Sequence, residues 1–179
     1  MSRIPPIPVD RAPAETRDFL QRRGALNVFR LLATAPRVFG GWTKMTDELL
    51  NSPTFGLRQR ELVTLRVAHI QQCPYELAQH IDIARRGQSG ITAEQIAALT
   101  GDGPLEHAHF DEAELTVLNF VTELCTSHWV NDESFGRVHA LLGTDGVTEL
   151  LMLVSLYYGL ALVLNATELD IDDHVRLHV

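Results

Sequence analysis

The chain of 179 residues is 45% hydrophobic and 21% charged, with a formal net charge of −8. These proportions are ordinary for a globular protein of one domain, and the acidic balance argues against nucleic acid or an anionic membrane as the main partner. The two cysteines, Cys73 and Cys125, form neither a disulfide framework nor a zinc motif, and the N-terminus lacks the apolar segment of a signal peptide, so we expect a cytoplasmic protein.

The sequence divides into an N-terminal arm and one domain. Residues 1–13 contain four prolines and are predicted to be an extended, non-helical arm that packs on its own domain or on a neighbouring subunit. Residues 14–179 are predicted to form a single all-α domain, because no segment alternates apolar and polar residues as a strand does. Apolar periodicity and helix-capping signals predict helices over 14–35 with a break near Gly24, 36–51, 56–71, 74–86, 92–99, 110–127, 131–143 and 144–167.

The last predicted helix contains a nearly uniform apolar run, residues 150–166. The run is at the short limit for crossing a bilayer, but polar residues interrupt it and no lysine or arginine flanks it. We therefore expect no membrane span and predict a helix buried by its own domain or by a partner subunit.

Reactive side chains concentrate on and before the predicted helix 74–86. Pro74 suits the first helical position, and Glu76 in the first turn suits the helix dipole. Cys73, Glu76 and His80 stand at positions i, i+3 and i+7, which places them on one face. The opposite face is expected to be solvated, and it carries Gln79, Asp82 and Arg86.

Each reactive side chain has two interpretations. A histidine held between Glu61 and Glu76 can shuttle a proton near neutral pH, whereas a Glu76–His80 pair alone would only stabilise the helix. Cys73 is either a thiolate activated at the helix N-terminus or a buried inert thiol. Glu76 and His80 could also bind a metal with Cys73 or His69, but no fourth ligand is evident, so no metal is predicted.

The remaining histidines offer weaker signals. His107 and His109 follow the loop 100–105 and are expected to be solvated, although they could approach a pocket. His174 and His178 belong to a charged tail that is expected to lie on the surface.

The spacing Glu61-x11-Cys73-x2-Glu76-x3-His80 resembles the carboxymuconolactone decarboxylase and alkylhydroperoxidase D superfamily. The peroxidase branch of that superfamily reads Glu-x11-Cys-x-His-Cys-x3-His. In this sequence Tyr75 and Glu76 replace the first histidine and the second cysteine, and CPYELAQH looks like the form found in decarboxylase-like members. The resemblance covers roughly residues 27–165, and it implies an all-α, AhpD-like fold with the site on a helical hairpin.

The resemblance also implies a function. We expect a cofactor-free, carboxymuconolactone decarboxylase-like enzyme in which a relay of His80, Glu61 and Glu76 protonates a small carboxylated lactone or related catabolic intermediate. Tyr75 would line the substrate pocket. Members of the superfamily are typically trimers or hexamers, which implies a homotrimer or homohexamer here.

Two alternatives stay open. One is an antioxidant peroxidase dependent on Cys73 and an external reductant, since Glu76 cannot resolve a sulfenic acid as a second cysteine does. The other is a helical oligomer that binds a small ligand without catalysis.

Overall fold

The computed structural model describes residues 1–86 and 88–176, apart from the Arg176 side chain. These residues contain helices and no strand, which confirms the predicted all-α fold. Nine α-helices occur in this part of the chain: α1 Ala14–Arg22, α2 Asn27–Leu32, α3 Pro36–Leu50, α4 Leu57–Ile70, α5 Pro74–Arg85, α6 Ala93–Leu99, α7 Glu112–Ser127, α8 Asp132–Thr167 and α9 Asp173–Arg176.

The N-terminal arm packs against the domain of its own chain. The backbone N–H of Arg3 donates to the Thr167 carbonyl at 2.8 Å, and that of Ile7 donates to the Arg30 carbonyl at 3.1 Å. One turn of 3-10 helix, Val9–Arg11, interrupts the extended backbone. The prediction that the arm contains no helix is therefore wrong over these three residues, because the prolines flank the turn and do not lie within it.

The helices begin and end where backbone chemistry requires. The break between α1 and α2 falls at Gly24 and Ala25, whose φ angles are 74° and 52°, in the left-handed region that glycine adopts most readily. Pro36 occupies the first turn of α3. The predicted break near Gly24 and the predicted start at Pro36 are both present.

Helix α4 is the centre of the domain. Every residue from Glu61 to Ala68 is buried, because α5, α7 and α8 all pack around this helix. A tight turn at Gln71 and Gln72 reverses the chain, and the N–H of Cys73 closes it by donating to the Ala68 carbonyl at 2.9 Å. Helices α4 and α5 therefore form the predicted helical hairpin.

Helix α8 runs for 36 residues and changes direction once. Gly143 has φ 68° and ψ 179°, so the helix breaks where the sequence separated two predicted helices. The C-terminal part is long and apolar enough to cross a membrane by length and composition, and half of its most apolar window is buried in the domain, as in the core helix of a globular protein. Its outer side exposes a row of apolar side chains: Leu151, Met152, Leu162 and Val163.

Candidate active site

The hairpin brings Glu61 and His80 into direct contact. Oε2 of Glu61 lies 2.8 Å from Nδ1 of His80, and both side chains are almost inaccessible to solvent, at 5% and 12% exposure. Glu76 lies one helical turn before His80 on α5 and is also buried. Spacing alone left open whether Glu61 reaches His80, and the packing of α4 on α5 brings the two together.

These three side chains line one cavity of about 480 Å³. Its size suits a small organic molecule, and sites for such molecules are typically apolar with a few polar groups. The cavity lies between α2, α3, α4, α5 and α8. Its apolar wall includes Leu26, Phe29, Trp42, Leu156, Tyr157 and Leu160.

The environment of His80 favours the imidazolium. Burial acts to lower its pKa, but the charges of Glu61 and Glu76 and the hydrogen bond to Glu61 outweigh burial, so the pKa is raised. The ring of Tyr157 packs edge-on against the imidazole with centroids 5.2 Å apart. Because Glu61 occupies Nδ1, Nε2 is the ring nitrogen left to exchange a proton with a ligand.

Glu76 is the second titratable group of the cavity. Burial raises its pKa from an ordinary 4.5 to about 7, although the neighbouring His80 acts in the opposite direction. Both carboxyl oxygens are buried and lack a hydrogen-bond partner among the described residues. Glu76 can therefore hold a proton near neutral pH, and its oxygens are available to a ligand because no described residue binds them.

Cys73 lies apart from these groups. Its side chain is fully buried among Val28, Leu31, Ala161 and Leu164, and it does not contribute to the cavity wall. Burial and, to a smaller extent, the charge of Glu76 raise the pKa of the thiol to about 12, because the backbone N–H groups at the start of α5 offset them only in part. Of the two interpretations of Cys73, this environment favours the buried inert thiol, because desolvation exceeds the helix-terminus effect.

Tyr75 lines the cavity, while its hydroxyl belongs to a separate buried cluster. The hydroxyl donates to Oδ2 of Asp172 at 2.5 Å and accepts the N–H of Val28 at 3.1 Å. Oδ2 also accepts Nε2–H of Gln79 at 2.8 Å, and Oδ1 accepts the N–H of Asn27 at 3.0 Å. We call these residues around Asp172 the Asp172 cluster.

The face of α5 that was expected to be solvated is largely buried. Gln79 and Asp82 are only 8% and 9% exposed, and of the three predicted residues only Arg86 reaches the surface. The tail before α9 covers this face, and Asp172 bonds Gln79 there. The sequence analysis missed Asp172, because one aspartate among three in an acidic tail carries no local signal of burial.

The other candidate ligands lie away from the cavity. His69 contacts Asp102 at 3.2 Å on a different part of the surface, and His107 is exposed beside Glu112. Among residues 1–86 and 88–176, no three histidine, cysteine or acidic side chains are arranged to hold a metal. His178 lies outside the described residues.

Arg60 is a cavity residue that the sequence analysis did not single out. It precedes Glu61 on α4 and lines the cavity. Nη1 donates to the Phe55 carbonyl at 2.8 Å, and Nε is buried without a partner among the described residues. In the sequence, the only sign that Arg60 belongs to the site is its position beside Glu61, a predicted catalytic residue.

Solved structures share this fold across nearly the whole chain. A peroxidase-related protein with an alkylhydroperoxidase AhpD core from Ralstonia eutropha JMP134 has a TM-score of 0.80 at 21% identity, covering 98% of this chain and 95% of its own. The debrominase Bmp8 was solved in its apo form, at 16% identity to this chain, and as a cysteine-to-alanine variant in complex with 2,3,4-tribromopyrrole, at 15% identity. Each structure has a TM-score of 0.78 and covers 97% of this chain and 94% of its own.

A third structure covers less of the chain. A putative antioxidant defence protein AhpD from Agrobacterium tumefaciens has a TM-score of 0.68 at 16% identity, covering 79% of this chain and 95% of its own. No curated protein matches the sequence. The model of the carboxymuconolactone decarboxylase family matches residues 36–123, a span that contains Glu61, Cys73, Glu76 and His80. The sequence is therefore similar to the carboxymuconolactone decarboxylase family over these residues, and the chain has the fold of the alkylhydroperoxidase AhpD core.

Proposed function

We propose that the protein is a cofactor-free enzyme that protonates carbon in a small carboxylated lactone or related catabolic intermediate, in the manner of a carboxy-lyase. The observation that carries this proposal is the buried contact of 2.8 Å between Glu61 and His80, on the wall of a mainly apolar cavity. A histidine whose Nδ1 is fixed by a carboxylate is a standard general acid–base group.

The reaction balances without an added reagent. The bond between the substrate carbon and its carboxylate breaks, CO₂ leaves, and the electron pair enters the conjugated carbonyl as an enolate. The imidazolium of His80 then gives the proton from Nε2 to carbon, while Glu61 stabilises the charge and fixes the ring orientation. Glu76, whose pKa is about 7, is a second proton source on the same wall.

A small planar ring is compatible with such a cavity. The debrominase of the same fold was solved with 2,3,4-tribromopyrrole, a ring of this size. The aromatic wall formed by Phe29, Trp42 and Tyr157 would pack against a flat, unsaturated ring. The aromatic wall therefore supports lactones and related cyclic acids as substrates more than it supports long-chain compounds.

The thiol-dependent alternative has less support. A peroxidatic cysteine must be ionised and reachable by peroxide, and Cys73 is fully buried with a pKa raised to about 12. Cys125 is also buried, with its pKa raised to about 11. Neither thiol lines the cavity that holds His80.

The test is CO₂ release from a panel of small carboxylated lactones and β-keto acids. His80→Ala should lower turnover of any accepted substrate by about 10²–10⁴-fold, the usual contribution of a general acid–base group. Glu61→Gln should lower turnover and shift its pH profile to lower pH, because removing the negative charge of Glu61 lowers the pKa of His80. Cys73→Ala is the matched control and should retain turnover within about twofold.

The outcomes separate the three functions. Full activity of His80→Ala would contradict the acid–base role. Peroxide consumption that is lost in Cys73→Ser would instead favour the peroxidase. A protein that binds members of the panel and turns none over would fit the ligand-binding oligomer.

We also propose that the protein self-associates as a homotrimer or homohexamer. The exposed apolar row on α8, which includes Leu151, Met152, Leu162 and Val163, supports this, since such rows in globular proteins are usually covered by a partner. Light scattering at micromolar concentration should give about three or six times the 20.0 kDa chain mass. A monomeric mass would contradict the proposal.

A further inference from the structure

Arg60 differs from the other arginines of the hairpin and its surroundings. Arg58, two residues earlier, pairs with Glu114 at 2.7 Å, and Arg66 donates to Thr122 and to two backbone carbonyls. Arg60 has no carboxylate partner among the described residues, and a carbonyl accepts only its Nη1–H. Arg60 therefore lines the cavity without an ion-pair partner among the described residues.

The position of this charge is informative. Arg60 lines the same cavity as Tyr157, the aromatic side chain that packs on His80. Nε is buried and has no acceptor among the described residues. The Phe55 carbonyl uses one donor of the guanidinium, and a ligand carboxylate in the cavity would pair with the charge of the group.

The rest of the cavity wall offers no equivalent anion site. Glu61 and Glu76 repel an anion whenever they are ionised, and His80 is already paired with Glu61. Arg23, the other arginine of the wall, forms an ion pair with Asp47. An anionic group that enters the cavity is therefore attracted to Arg60.

We propose that Arg60 is the specificity-determining residue of the cavity and binds a carboxylate that the ligand retains. This inference depends on the proposed function in one respect only, namely that the reacting carbon of the ligand faces His80. A carboxylate that departs as CO₂ would gain nothing from this contact, because a salt bridge to the departing group stabilises the ground state and slows its loss. The Arg60 contact instead orients the ligand and leaves its reacting carbon to His80 and Glu76.

Fluorescence of Trp42 provides a direct test, because this side chain lines the cavity. Trp129→Phe removes the other tryptophan, which is 65% exposed, and this variant is the parent for all measurements. The probes are benzoate and cyclohexanecarboxylate, each compared with its neutral amide, benzamide or cyclohexanecarboxamide. The amides match the acids in shape and report whether the cavity is intact.

We expect both carboxylates to bind the parent more tightly than their amides. Arg60→Gln should weaken carboxylate binding by roughly 10- to 100-fold, the usual effect of losing one charged hydrogen bond, and should leave amide binding unchanged. Arg58→Gln removes one positive charge from the same helix outside the cavity, and it should change neither carboxylate binding nor amide binding.

Three results would overturn the proposal: no saturable binding of either carboxylate to the parent, equal binding of acids and amides, or equal loss in Arg58→Gln and Arg60→Gln. The probes need no turnover, so this test is independent of the reaction. Retained turnover in His80→Ala together with the expected Arg60→Gln effect would contradict the proposed function alone.

Discussion

Helix α5 separates two buried polar clusters that differ in how completely they are hydrogen-bonded. In the Asp172 cluster, the carboxylate accepts hydrogen bonds from Tyr75, Gln79 and Asn27. On the cavity side, Glu61 bonds only His80, and both oxygens of Glu76 have no partner among the described residues. One sequence segment thus supplies a saturated cluster and an unsaturated one.

The difference indicates what each cluster does. A buried carboxylate with all its donors in place is stable and has no capacity left for a ligand. A buried carboxyl group without donors is tolerated mainly at functional sites, where substrate or a transferred proton completes it. We therefore regard the Asp172 cluster as structural and the cavity side as reactive.

The largest effect on stability is expected from removing the centre of the saturated cluster. Asp172→Ala leaves three buried donors unpaired and should lower the free energy of unfolding by about 3–5 kcal/mol, measured by urea denaturation. Asp170→Ala is the control, because Asp170 is 44% exposed and binds the N-terminus at the surface; its cost should be much smaller than that of Asp172→Ala. Equal costs for the two variants would contradict a structural role for Asp172.

The unsaturated cluster should respond in the opposite direction, by an amount that grows as pH rises from 4.5 to about 7. Because the pKa of Glu76 is raised from 4.5 to about 7, the folded state binds more protons than the unfolded state between these values, and stability falls as pH rises through them. Glu76→Gln mimics the protonated form. It should match the parent at pH 4 and exceed its free energy of unfolding by about 2–3 kcal/mol at pH 8.

Urea denaturation at the two pH values measures this difference. The control is Glu149→Gln, a change on α8 away from the cavity, whose effect should not depend on pH in this manner. A Glu76→Gln effect of the same size and sign at both pH values would contradict a raised Glu76 pKa.

A smaller effect is expected at Tyr75, which belongs to both regions. Tyr75→Phe keeps the ring at the cavity but removes one of the three donors to Asp172 and the acceptor for the N–H of Val28. We expect a loss of about 1–3 kcal/mol in the free energy of unfolding, with benzamide binding unchanged. Weaker benzamide binding without loss of stability would assign the hydroxyl to the ligand and not to the Asp172 cluster.

The smallest effect is expected for the cysteine. With Cys125→Ser to isolate one thiol, native Cys73 should resist iodoacetamide at pH 8, because it is fully buried and its pKa is about 12. The same protein unfolded in urea provides the control for reactivity. Rapid alkylation of the native protein with a pKa below about 8.5 would restore the thiolate interpretation.

The sequence predicted the parts of this molecule that depend on local chemistry. Pro36, Gly24 and the turn before Cys73 mark helix boundaries through backbone preferences, and residue spacing placed Glu76 and His80 on one face. The contact of Glu61 with His80 required the packing angle of two helices. Spacing could not give that angle, although the resemblance pointed to the pair.

The remaining features depend on burial, which comes from distant segments. Gln79 was predicted to be solvated because the tail residue that binds it, Asp172, lies 93 residues away in the sequence. The same limit explains Cys73, where the helix-terminus effect is local and the stronger desolvation comes from α2 and α8. Arg60 could not be recognised until the absence of an acceptor for Nε was known.

The most direct test of the reactive cluster is the pKa of Glu76 itself, measured by ¹³C NMR of side-chain carboxyl groups, with the signal assigned through its absence in Glu76→Gln. The proton-transfer account predicts a midpoint of about 7, shifted further upward in His80→Gln because the neighbouring positive charge is removed. A midpoint at the ordinary value of 4.5, unchanged in His80→Gln, would mean that the carboxyl group is solvated and uncoupled from His80, and it would contradict the account.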